Sequence, residues 1–221
     1  MHLRKSNLNL SNFFYILIIF ISLFIFFSCQ NKQTSSKIIT DNLIVSDTLS
    51  WFERMADSEI YRRGESLDYG KTDPNAKWNY QTGLFLKALM ELSEYKGNTK
   101  YFTYAQRVID SYLDDNGNIK TYKMNDFNID KINSGKVLLR LYKIVKDDKY
   151  KKAAFILREQ LDNHPRTKEG GFWHKKRYPW QMWLDGIYMG SAFYAEFSNV
   201  FNQPDGFDDV AKQILLIDTH T

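Results

Sequence analysis

The sequence predicts an all-α fold built from repeated helical hairpins, and three observations lead to this prediction. Apolar residues recur at helical spacing from Leu49 onward. No segment in this part of the sequence alternates apolar and polar residues as a half-buried strand would. A weak pattern of helix, short turn and helix returns after 49 residues. This hairpin is the unit of both helical solenoids and closed α/α toroids, and periodicity alone does not separate the two.

Seven helices are predicted in chain order, and two of the connections between them are long loops. In the second helix, an apolar stripe runs from Leu84 through Leu92 to Tyr95. Turn residues at 97–98 and 115–117 end the second and third helices. The predicted ranges are about 49–62, 76–96, 99–113, 130–146, 148–162, 182–201 and 208–219.

The internal repeat pairs residues of one hairpin with residues of the next. The matched pairs are Leu89 with Leu138, Leu92 with Leu141, Lys100 with Lys149, Tyr101 with Tyr150, and Ala105 with Ala154. In both copies Lys-Tyr opens the second helix of the hairpin, so the two hairpins are expected to pack in the same way.

The N-terminus reads as an export signal. Basic residues near the start precede an uncharged apolar run at 13–27, which is too short to span a bilayer comfortably. Cys29 follows directly and resembles the lipidated cysteine of a bacterial lipobox. An uncleaved signal anchor, or a secretory peptide with an incidental cysteine, is the alternative. We expect a lipoprotein signal at 1–28, a lipidated Cys29 with a polar tether at 29–48, and a membrane-anchored lipoprotein of a Gram-negative bacterium.

Composition and charge exclude several classes of protein. With 43% hydrophobic and 25% charged residues the chain is globular, and a single cysteine forbids internal disulfides. From residue 49 onward the formal net charge is only +2, which argues against a nucleic-acid partner. The basic run at 175–177 is expected on the solvated surface. The four histidines lack metal-ligand spacing, so no metal or cofactor is predicted.

The two long loops, 115–129 and 163–181, are where a site is expected, because loops of such length are uncommon unless functional. The second loop is rich in Trp, Tyr, His and Arg, which suits a rim that stacks on sugars and fixes carboxylates. Trp173, Trp180 and Trp183 lie within eleven consecutive positions in and just after it.

Asp185 is a candidate general acid, because Trp183, Leu184 and Ile187 surround it in the sequence at the start of a helix. A carboxyl group in apolar company loses hydration, which disfavours its charged form, as a general acid requires. The alternative is that Asp185 only caps the helix.

Two further helix-opening turns carry candidate site residues. Asp130 begins one helix, where an N-cap is again the alternative, and Tyr80 begins another, where core packing is the default explanation. In an α/α toroid the N-terminal ends of alternate helices converge, so Tyr80, Asp130 and Asp185 are expected to meet in one pocket.

Five segments of the sequence resemble glycoside hydrolase family 105, the unsaturated rhamnogalacturonyl and glucuronyl hydrolases, and its sister family 88. The resemblance extends from about Trp51 to the C-terminus, and the last two segments are long and specific. The segments are Trp78-x-Tyr80-x-x-Gly83, Asn128-Ile129-Asp130-x-Ile132, His164-Pro165-Arg166-Thr167, Gly171-Phe172-Trp173-His174-Lys175 and Gln181-Met182-Trp183-Leu184-Asp185-Gly186-Ile187-Tyr188-Met189.

The resemblance implies an (α/α)6 barrel that removes a 4,5-unsaturated uronic acid from the non-reducing end of oligosaccharides made by polysaccharide lyases. The reaction is hydration of a vinyl ether. Asp185 matches the residue that protonates C4 and helps to activate water toward C5, and Asp130 matches the second essential carboxylate. Tyr80 and His174 match positions that contact the unsaturated sugar, and Trp173 and Trp183 are expected to stack on it.

The family barrel has twelve helices, whereas about seven are predicted in 49–221. An incomplete barrel with little or no activity is therefore expected for the chain alone. The partners implied are unsaturated oligogalacturonide-type oligosaccharides and, through Cys29, a membrane. Two other classes stay open, a non-catalytic helical lipoprotein that binds glycans and another α/α-barrel carbohydrate enzyme. The paired acids Asp130 and Asp185 favour the hydrolase, because a binding module does not need them.

Overall fold

The computed structural model describes residues 46, 48–64 and 77–220. Strand-like pairing within these residues is limited to isolated bridges, so the predicted all-α class is confirmed. Two 3₁₀ segments lie at Met124–Asp126 and Ile129–Ile132, and a π-helix lies at Ile187–Ser191. The α-helices are α1 (Trp51–Arg63), α2 (Tyr80–Lys96), α3 (Thr99–Asp110), α4 (Gly135–Val145), α5 (Asp148–Asp162), α6 (Ala192–Val200) and α7 (Asp205–His220).

The predicted signal at 1–28 and Cys29 lie outside the described residues, as does nearly all of the tether up to residue 48. Export and lipid attachment through Cys29 therefore stay predictions. Among the helices in the described ranges, none is both long and apolar enough to cross a bilayer.

Short polar side chains set the starts of three helices. Asn79 accepts a hydrogen bond from the Thr82 backbone N–H at 2.9 Å and so caps α2. Asn98 caps α3 and Asp147 caps α5 in the same manner. These caps satisfy N–H groups that have no partner within the helix.

The helices are arranged as hairpins whose first members form one layer. α2 contacts α4, α4 contacts α6, and each of these three helices also contacts the helix that follows it in the chain. Because every hairpin turns back on itself, the N-terminal ends of α2, α4 and α6 lie at the same end of this layer. The candidate residues precede or begin these helices.

Ion pairs among α1, α3 and α5 explain why Lys-Tyr recurs in the sequence repeat. Lys100 Nζ, in α3, lies 2.7 Å from a carboxylate oxygen of Asp57 in α1. One hairpin later, Lys149 Nζ lies 3.1 Å from Asp110, which also accepts a hydrogen bond from the Tyr150 hydroxyl at 2.7 Å. The Lys-Tyr pair thus joins α3 to α1 and α5 to α3.

The apolar stripe predicted for α2 is wrong. Leu84 is 48% exposed and Tyr95 is 78% exposed, whereas Leu86, Leu89 and Met90 are buried. The reason is the position of α2 between two neighbours. Its buried face is the one that packs against α3 and α4, and a helical period alone does not reveal which apolar face that is.

Candidate active site

Hydrogen bonds between backbone and side chains hold the starts of α2 and α4 together. The Ser134 hydroxyl donates to the Asn79 carbonyl at 2.7 Å, and the Asn133 side-chain amide donates to the Tyr80 carbonyl at 3.0 Å. Gly83 lies directly against Ser134, because a Cβ atom at position 83 would come within 2.5 Å of the Ser134 Cα. Two of the three predicted turns therefore meet.

Backbone pairing brings the two long loops together. The Ile129 N–H donates to the His174 carbonyl at 3.0 Å, and an antiparallel bridge joins Asn128 to Lys175. Asp130 therefore lies beside His174, although the two are 44 positions apart in the sequence.

The side chains of His174 and Lys175 both contact the carboxylate of Asp130. One carboxylate oxygen lies 3.0 Å from His174 Nε2 and the other 2.6 Å from Lys175 Nζ. Burial disfavours the charged form of Asp130, but the hydrogen bonds from His174 and Lys175 outweigh burial and hold the pKa of the carboxyl below its usual value. Asp130 is therefore a fixed anion beside Nε2 of His174.

The capping alternative for Asp130 is not what the structure contains. Asn128 provides the cap, because its side chain accepts a hydrogen bond from the Asp130 N–H at 3.0 Å. The Asp130 carboxylate is thus free to bind His174 and Lys175.

Asp185 stands on the other side of His174. Its nearer carboxylate oxygen is 3.7 Å from His174 Nδ1, which is longer than a hydrogen bond. The Nδ1 atom is buried and has no hydrogen-bond partner in the described chain. The imidazole thus lies between two carboxylates, with one nitrogen bonded and the other available.

The apolar enclosure expected for Asp185 is not found. Its side chain is 49% exposed, and Trp183 and Leu184 are themselves exposed beside it. The capping alternative is not supported either, since no backbone N–H in the described ranges donates to its carboxylate. Asp185 instead presents an open carboxylate at the start of a helix.

A π-helix begins at Ile187, two residues after Asp185. At Gly190 an added Cβ atom would lie 3.1 Å from the Ile129 side chain, so this π-helix packs closely against the turn that carries Asp130. Wide helical turns of this type are often found at functional sites. Here the π-helix places Asp185 and Asp130 on opposite sides of one histidine.

The predicted aromatic residues have ring partners of their own. The Trp183 ring stacks on His174 at 4.2 Å and on Tyr178 at 5.3 Å between ring centroids. Trp173 meets Trp180 edge-on at 4.8 Å. Stacking of a sugar on Trp183 is therefore limited to the ring surface that His174 and Tyr178 leave open.

Tyr80 is near the site through its backbone. In the described part of the chain, no hydrogen bond joins its hydroxyl to Asp130, His174 or Asp185. Its predicted contact with the sugar stays a prediction.

The geometry of this cluster is compatible with a cation, because Asp130, His174 and Asp185 each offer a ligand atom within 4.8 Å of the others. Both oxygens of Asp130 are already engaged, one by His174 and one by the Lys175 ammonium. The Lys175 ammonium would repel a metal ion bound beside it, so the arrangement favours a hydrogen-bonded acid site.

Lys175 belongs to the site, although the sequence did not predict it as a site residue. It was expected on the solvated surface with the rest of the run 175–177, but its side chain is largely buried against Asp130. Its position next to His174, within the segment 171–175 that resembles the family, is the signal that could have identified it.

Arg166, expected at a rim that fixes carboxylates, instead pairs with the carboxylate of Asp209 in α7 at 2.6 Å. Gln213, also in α7, accepts a hydrogen bond from the Phe172 N–H and donates to the Gly170 carbonyl. α7 therefore fixes the loop that carries His174.

His164 is buried at the start of the loop that carries His174. Its Nε2 lies 2.7 Å from the Trp173 carbonyl, and its ring meets Phe127 and Phe172 edge-on. Burial lowers the pKa of His164 from 6.5 to about 4. The imidazole is therefore neutral at neutral pH and acts as part of the core.

We expect His164 to make the fold sensitive to mild acid. Its pKa is lower in the folded chain, so unfolded chains bind more protons between pH 6.5 and about 4. The contribution of His164 to the free energy of unfolding should be fully present above pH 6.5, and about 3 kcal/mol of it should be lost as the pH falls to 4. Urea unfolding across this range measures the slope, and the matched variant His164→Gln should show a clearly flatter one. Equal slopes in the two proteins would contradict the role given to His164.

Comparison with known proteins gives one family match and a structural neighbour. A family model described as Glycosyl Hydrolase Family 88 matches residues 51–221. The fold is similar to a solved structure of a glycoside hydrolase from family 105 of C. acetobutylicum ATCC 824, with 36% identity and a TM-score of 0.67. The match covers 76% of this chain and 44% of that chain, so this chain spans less than half of the neighbour's length. The predicted resemblance and the helical-hairpin barrel class are confirmed.

Proposed function

Because the chain belongs to Glycosyl Hydrolase Family 88, we propose that it removes a 4,5-unsaturated uronic acid from the non-reducing end of lyase-generated oligosaccharides. The substrates would be of the pectin or rhamnogalacturonan type. The observation that carries the proposal is the open carboxylate of Asp185 beside the available Nδ1 of His174.

The proposed reaction is hydration of the vinyl ether. Asp185 donates a proton to C4, and water adds at C5 while the Asp185 carboxylate accepts one of its protons. The resulting hemiketal opens, and the bond to the leaving saccharide breaks. The carboxylate is restored to its acid form, so the proton balance closes.

The neighbours of Asp185 support this role. When the imidazole donates from Nε2 to Asp130, its Nδ1 keeps a lone pair that can accept a hydrogen bond from a protonated Asp185. Asp130 and Lys175 hold the ring in that orientation. A fixed imidazole therefore positions the acid without transferring the proton itself.

The experiment follows the ultraviolet absorbance of the unsaturated uronide in lyase-digested pectin. Protein in excess over substrate makes slow conversion measurable. We expect the absorbance to fall with release of the shortened oligosaccharide. Saccharide binding without any loss of absorbance would contradict the proposal and would favour the alternative, a non-catalytic glycan-binding lipoprotein.

A further inference from the structure

Trp180 has an unusual backbone conformation for a large residue. Its φ is +67°, in the left-handed region that favours glycine, and its side chain is 62% exposed. The ring makes an edge-on contact with Trp173 at 4.8 Å. Strain of this kind persists when the surrounding structure fixes it, and it is concentrated at ligand sites.

Trp180 lies on the rim of an open cleft of about 410 Å³, formed between the loop at 167–183 and the end of α7. Trp183 also borders the cleft and stacks on His174, so the cleft adjoins the candidate acid site. The other lining residues are Thr167, Glu169, Gln181, Met182, Leu216, Ile217 and His220.

The polar groups of the cleft suit a neutral sugar. Glu169 and His220 pair at 2.8 Å and are both exposed, so they can exchange hydrogen bonds with hydroxyl groups. No lysine or arginine lines the cleft in the described chain, and Glu169 would repel a carboxylate. The exposed indole offers an apolar face of the type on which pyranose C–H groups pack.

We propose that Trp180 and this cleft bind the leaving saccharide as a neutral pyranose ring. The proposal rests on the proposed function, because the leaving saccharide is defined by the bond that the proposed reaction breaks. Trp180 acts here as a specificity-determining residue and takes no part in proton transfer.

The test compares two substrates that share the same unsaturated uronic acid. One carries L-rhamnose as the leaving sugar, and the other is the methyl glycoside. We expect Trp180→Asn to lower kcat/KM for the disaccharide about tenfold and for the methyl glycoside less than twofold. Asparagine tolerates the left-handed conformation, so the loop should keep its shape. The matched control Trp51→Asn, at an exposed tryptophan in α1, should change neither value.

Equal losses on the two substrates would overturn the proposal. If the native chain hydrolyses neither substrate, the proposed function fails, and saturation-transfer NMR with L-rhamnose still tests the cleft. A signal that Trp180→Asn removes and Trp180→Phe retains supports the subsite. A signal unchanged by Trp180→Asn, or no signal from the native chain, overturns it.

Discussion

Replacing Asp185 by asparagine is expected to lower kcat by about 10³-fold, because a general acid contributes a factor of this order and an amide cannot supply the proton. The substitution keeps the shape of the side chain. The KM should change by no more than about threefold, since Asp185 acts mainly on the reacting double bond. Single-turnover rates over a series of protein concentrations in excess of substrate, followed by the uronide absorbance, give the rate constant of the chemical step and the half-saturating concentration that correspond to these two constants.

Asp218→Asn is the matched control, because Asp218 is also exposed and belongs to α7, and it neither pairs with His174 nor lines the cleft. Its kcat should equal that of the native chain. Normal turnover by the Asp185→Asn protein would exclude Asp185 as the acid. A large rise in KM at unchanged kcat would make Asp185 a binding residue only.

Gly83→Ala is expected to destabilise the fold strongly. The added methyl group would come within 2.5 Å of the Ser134 Cα and 2.8 Å of its backbone nitrogen, so the start of α2 would have to move away from α4. Overpacking against backbone of this kind costs about 3 kcal/mol. The free energy of unfolding from urea titration measures the loss.

Gly186→Ala provides the control for this prediction. A Cβ atom at position 186 meets its nearest neighbour, His174 Nδ1, at 3.7 Å, which is an ordinary contact. Alanine also favours a helical backbone over glycine, so stability should be unchanged or slightly higher. A Gly83→Ala protein as stable as Gly186→Ala would show that α2 and α4 are not in fixed contact.

The helices were predictable because their apolar periodicity is local, but one boundary depends on tertiary contacts. The helix predicted at 130–146 is divided into a 3₁₀ segment at Ile129–Ile132 and α4 from Gly135. Asn133 and Ser134, between the two, use their side chains to bond the start of α2. These long-range bonds do not appear in a periodic pattern.

The sequence predicted which residues form the candidate site better than it predicted their exposure and their contacts. Asp130, His174 and Asp185 lie together, whereas Tyr80, which was expected to join Asp130 and Asp185, is near them only through its backbone. Asp185 is open to solvent and Lys175 is largely buried. Exposure depends on how the loops pair, and the bridge between Asn128 and Lys175 joins residues far apart in the chain. Sequence neighbours could not show which carboxylate would receive the ammonium group.

A double-variant cycle on Asp130 and Asp185 measures whether the two carboxylates act as one acid site. If His174 joins the two carboxylates into one acid site, their losses are not independent. We expect Asp130→Asn to lower kcat, and the combined Asp130→Asn, Asp185→Asn protein to be no slower than Asp185→Asn alone, within about threefold. Losses that multiply in the combined protein would show that the two carboxylates act separately.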